Sequence, residues 1–89
     1  MFIILGFYKF KKLKSLKKNK VILQKLFIQN KIRGTLIISK EGLNGSISGK
    51  SKSISLISKK IKILFRIRSF DSEIYQKVNF SHFIDLRLK

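Results

Sequence analysis

Apolar and polar positions along this chain switch between two periods, and the switches mark out its elements. Residues 3–10 (Ile3-Ile4-Leu5-Gly6-Phe7-Tyr8-Lys9-Phe10) are β-branched and aromatic up to the charged Lys11-Lys12, and read as a first strand. From Leu13 to about Asn30, apolar Leu16, Leu23, Leu26 and Phe27 fall on one helical face, with lysines at 14, 17, 18, 20 and 25 largely elsewhere. Ile32 to Ser39 is again β-rich, and a short strand follows at residues 46–48. Residues 40–45 are then the turn of an antiparallel hairpin, with Asn44-Gly45 supplying the pair that tolerates positive φ. Beyond Gly49, Ser51 and Ser53 are candidate N-caps of a second helix in which Ile54, Ile57, Ile61, Leu64 and Phe65 recur at helical offsets. Residues 69–73 form a polar loop with Asp71 and Glu73, and strand-like pieces follow at 74–80 and 83–88. The order βαββαβ pairs two split βαβ units into one antiparallel sheet with both helices on one face. That is the ferredoxin-like α+β sandwich.

Composition bounds what such a sandwich can do. The 89 residues suffice for one domain, 1–89, with a modest core, and a 44% hydrophobic share keeps it out of the disordered class despite a net charge of +17. The absence of cysteine excludes a disulfide framework, a thiolate zinc site and a cysteine nucleophile. The run from Phe2 to Phe7 falls far short of the roughly 20 apolar residues a membrane span takes, so the chain reads as cytoplasmic. Twenty-one Lys and Arg against four Asp and Glu attract phosphate, the electrostatic footprint of nucleic-acid binding. The chain also lacks Ala, Pro and Trp and holds seventeen Lys to four Arg, a bias that AT-rich codon usage explains in part. Arg is the better bidentate phosphate ligand, so both explanations stand.

Three segments carry a resemblance. Phe7-Tyr8-Lys9-Phe10, Arg33-Gly34-Thr35-Leu36-Ile37-Ile38-Ser39 and Glu41-Gly42-Leu43-Asn44-Gly45-Ser46-Ile47-Ser48-Gly49 resemble, in order and spacing, the N-terminal domain of the rhodanese-related tRNA uridine hydroxylases. The resemblance implies an acylphosphatase-like domain that is followed in the family by a rhodanese domain with a catalytic cysteine. It implies an oxygen-dependent hydroxylation of the wobble uridine of certain tRNAs. The rhodanese domain and its cysteine are absent from this sequence, so a truncated product or a domain that works with a separate rhodanese-type chain is the expectation. The segment from Ser81 to Lys89 also lacks the proline usual before the family's last basic strand, which leaves that strand's register open.

Candidate chemistry is sparse. Lys9, Lys11, Lys12, Lys14, Lys17, Lys18 and Lys20 are the densest basic run, gathered near the start of the first helix, where the helix dipole disfavours cations unless an anion sits there. Arg33 adds a cation before the hairpin. Glu41 can orient a nucleotide sugar or pair with a nearby lysine, but one carboxylate without a partner makes poor acid–base machinery. Gly42, Asn44 and Gly45 can present backbone N–H groups to phosphate as a nest, or serve only the hairpin. The only histidine, His82, has no second ligand type beside it and reads as an ordinary loop or strand residue. Phe7, Tyr8 and Phe10 read as packing residues, with Tyr8 the exception as a base-stacking candidate. No catalytic residue, cofactor site or metal site is expected.

The leading reading is a tRNA-docking domain of a tRNA uridine hydroxylase. A stand-alone basic RNA-binding protein shares its electrostatics. An acylphosphatase-like hydrolase ranks below both, because residues 11–15 offer neither the glycine nor the arginine of a phosphate loop.

Overall fold

The computed structural model describes residues 2–78, which form β1 (Phe2–Phe10), α1 (Leu16–Gln29), β2 (Arg33–Ser39), β3 (Gly42–Lys50), α2 (Ser51–Phe65) and β4 (Ser72–Val78). The four strands make one antiparallel sheet in the order β2-β3-β1-β4. This is the expected βαββαβ ferredoxin-like sandwich. The anticipated strand at 83–88, and His82, lie outside the described residues.

Strand alternation sorts the sheet into two faces. Leu5 and Phe7 of β1 share a face with Leu43 and Ile47 of β3, in a register that sets Leu5 opposite Ile47 and Phe7 opposite Gly45. The helices close over this face. Leu23 of α1 and Ile54, Ile57 and Ile61 of α2 complete the core, and Leu5, Ile47, Ile54, Ile57 and Ile61 are fully buried. Each such side chain contributes about 1.5–3 kcal/mol relative to exposure. Phe65 at the end of α2 is buried as the periodicity predicts, and Leu16, Leu26, Phe27 and Leu64 pack against the cluster.

The hairpin differs from its sequence reading. Ser39 pairs with Gly42, so the loop is the two residues Lys40 and Glu41, and β3 runs nine residues where three were expected. Asn44 and Gly45 belong to this strand and neither has positive φ. The reason for Gly45 is steric: a Cβ there would lie 2.9 Å from Phe7 Cζ and 3.0 Å from the Thr35 carbonyl oxygen. At Gly42, with φ 153°, a Cβ would come 2.1 Å from the Lys9 carbonyl oxygen, and at Gly34, with φ 118°, equally close to that of Ser46. The glycines let three strands approach one another.

The helix caps differ too. Ser51 is the first residue of α2, and the N-cap is Lys50, without a side-chain cap bond. α1 starts at Leu16, three residues later than expected, leaving Leu13 buried in the β1–α1 connection. β4 starts at Ser72, which moves Glu73 from the anticipated loop into a strand.

Candidate functional site

The lysine-rich connection after β1 is held in place by the hairpin. The Lys11 N–H donates to the Glu41 carbonyl at 3.0 Å and the Leu13 N–H to the Lys40 carbonyl at 3.0 Å. α2 ends nearby with Arg66 in the left-handed region (φ 56°); the Arg66 N–H donates to the Ile63 carbonyl and the Ile67 N–H to that of Lys62. These two bonds are a Schellman motif. Asn19 of α1, 5% exposed, donates from Nδ2 to the Leu64 carbonyl at 3.1 Å, so one buried amide ties α1 to the last turn of α2.

Between these pieces lies a hollow of about 770 Å³ lined by Lys11, Lys12, Lys14, Lys18 and Arg66 over a floor that includes Phe65. The Lys11 ammonium donates to the Arg66 carbonyl, where the negative end of the α2 dipole favours a cation. Lys12, Lys14, Lys18 and Arg66 make no ion pair among the described residues. α1 opens at the same hollow with no acid in its first turn and no side-chain bond from its N-cap Ser15, itself at φ 55°. Uncapped first-turn N–H groups beside several cations make an environment that favours an anion.

Four of the seven lysines of the basic run therefore converge and three do not. Lys17 is exposed outside the hollow, and Lys20 lines a different depression beside β2. Lys9 is withdrawn: its ammonium lies 3.1 Å from Asp71 Oδ1 in the one ion pair among the described residues. Asp71 also accepts the Phe10 N–H at 2.7 Å, while its own N–H donates to the Tyr8 carbonyl at 2.9 Å. The Phe10 bond first and Lys9 second hold the Asp71 carboxyl below the ordinary aspartate range.

The hairpin candidates do not converge in this way. Glu41 is exposed in the two-residue loop, and its side chain makes no ion pair among the described residues, so the anticipated lysine partner is not seen. Arg33 is exposed at the start of β2, opposite Ser48. Gly42, Asn44 and Gly45 lie in a strand flanked by β1 and β2, which sends successive N–H groups to alternate sides and leaves no converging nest. Asn44 keeps an exposed side chain on the sheet face away from the helices. Two residues escaped the sequence reading. Arg66 gave only the signal of a cation after a periodic helix, and Asp71 only that of an acid in a polar loop; the lysines and the Phe10 N–H that they meet across the fold are 55 to 62 residues away in sequence.

The model of the UPF0176 acylphosphatase like domain matches residues 2–89. The chain belongs to this family. It is 48% identical, over all of its own 89 residues, to 30% of the tRNA uridine(34) hydroxylase of Pelagibacter ubique (strain HTCC1062). A tRNA uridine(34) hydroxylase of Rickettsia bellii (strain OSU 85-389) is 34% identical over 59 residues, which are 65% of this chain and 24% of that protein. The chain spans under a third of the length of these curated relatives. Within the acylphosphatase-like domain, the described helices are neither long nor apolar enough to cross a membrane.

Proposed function

We propose that this domain docks tRNA for the wobble-uridine hydroxylation named in its relatives, working in the cytoplasm and holding the RNA backbone while a rhodanese-type domain or chain performs the oxygen-dependent chemistry. The observation that carries this reading is the convergence of Lys12, Lys14, Lys18 and Arg66, none of them ion-paired among the described residues, at the uncapped start of α1. Ammonium and guanidinium groups gathered from three parts of the chain match a phosphate backbone. Their mutual repulsion falls when the anion arrives. The 48% identity to a tRNA uridine(34) hydroxylase supports tRNA as the polyanion. A hydrolase of acylphosphatase type is disfavoured because the β1–α1 connection brings lysines and a serine without the arginine and glycine of a phosphate loop.

Filter binding of tRNA against salt tests the proposal. Replacing Lys12, Lys18 and Arg66 by Gln lowers affinity at least about tenfold at low salt and flattens the dependence of log K on log salt by about one unit for each phosphate no longer neutralised. Lys17→Gln, outside the hollow, serves as the comparison. An unchanged slope in the triple variant rejects docking through this hollow.

A further inference from the structure

The sheet face away from the helices carries a second hollow, of about 610 Å³, at the hairpin end of β1. Tyr8 and Phe10 point to this face from alternate positions of β1, 42% and 77% exposed, with ring centroids 5.4 Å apart at an interplanar angle of 58°. Across the strands Phe10 faces Gly42 and then Ser39, and Tyr8 faces Asn44 and then Ile37. Gly42 leaves the floor beside Phe10 without a side chain. Ile37, 58% exposed, forms the far wall, and Glu41 and Asn44 stand at the edge with side chains that have no hydrogen bond among the described residues.

We infer that this hollow receives one unpaired nucleobase of a bound RNA, stacked on Phe10 and bordered by the tilted Tyr8 ring, with its edge toward the Asn44 amide and the Glu41 carboxylate. Two exposed rings on neighbouring positions of one face offer a π surface that any base can cover. Asn44 brings both a donor and an acceptor, and Glu41 an acceptor for base N–H groups, so the edge chemistry suits a base better than an aliphatic side chain. A second copy of this chain is an unsuitable occupant, because each carries +17. Position supports RNA as well: Phe10 is followed directly by Lys11 and Lys12, which line the cationic hollow. The two hollows are thus lined by consecutive residues at this end of β1.

The inference rests on the RNA-docking proposal, and its test separates the two. The full chain carrying Tyr75→Phe, which leaves Tyr8 the sole tyrosine, is titrated with a single-stranded oligouridylate and with an abasic oligomer of equal charge, following tyrosine fluorescence and affinity. Stacking quenches Tyr8 with the oligouridylate and not with the abasic oligomer. Phe10→Ala weakens oligouridylate binding about 5-fold to 150-fold with an unchanged salt slope, and Phe10→Tyr restores it. Equal affinity for the two oligomers, or no loss in Phe10→Ala with the fold intact by circular dichroism, overturns base stacking while leaving phosphate docking in place. Absence of binding to either oligomer and to tRNA overturns both. A Phe10→Ala variant that binds RNA normally but changes its sedimentation marks the face as a protein interface, which also overturns the inference.

Discussion

The glycine-rich hairpin and the β1–α1 junction are equally conspicuous in the sequence, and the fold uses them in opposite ways. In the hairpin, the glycines are accounted for within the fold: Gly34 and Gly42 admit neighbouring carbonyls and Gly45 admits the Phe7 ring. At the junction, much is left unanswered. Lys12, Lys14, Lys18 and Arg66 have no acid among the described residues, Ser15 caps nothing, and Ser15 and Arg66 both adopt the left-handed conformation that glycine prefers. Glycine density marks backbone crowding here, whereas unneutralised charge around a hollow is what the docking proposal rests on.

Three perturbations sharpen this contrast, taken from the largest effect down. Gly42→Ala forces a Cβ against the Lys9 backbone, and urea unfolding should show a loss of about 3 kcal/mol or more. Gly6→Ala, where a Cβ meets nothing within 4 Å, should stay within about 1 kcal/mol of wild type. A tolerated Gly42→Ala would break the crowding account. At the junction the sign reverses. Arg66→Gly relieves a left-handed arginine and should raise stability by about 0.5 kcal/mol while weakening tRNA binding. A variant that loses stability and keeps its affinity would assign Arg66 a purely structural role.

The smallest effect is the pH response of Asp71. Its folded pKa is depressed by the Phe10 N–H and Lys9, so its contribution is present above the unfolded value of about 3.9 and disappears as pH falls through the lower folded value. The urea midpoint of wild type should therefore fall more steeply below about pH 3.9 than that of Asp71→Asn. Identical acid limbs would show that the Asp71 bonds are not populated in solution.

Local pattern made some of this legible and left the rest hidden. The face of α2 from Ile54 to Phe65 was readable because a helix places residues three and four apart on one side whatever surrounds it. The hairpin register was not. Asn44-Gly45 carries a strong turn signature, yet Gly45 is needed under Phe7, a contact between strands that no local rule reports. Lys9 looked like its neighbours in the basic run until Asp71, 62 residues later, was brought beside it.

By itself, the sequence determined the βαββαβ order, the apolar faces, the positive field and the family, because these follow from periodicity, composition and motif order. Only the tertiary structure decided which lysines converge, which one is neutralised, that Arg66 joins them and that Tyr8 and Phe10 share an open face. Charge and aromaticity belong to single residues, but a binding surface depends on distances between residues far apart in the chain, and packing sets those distances.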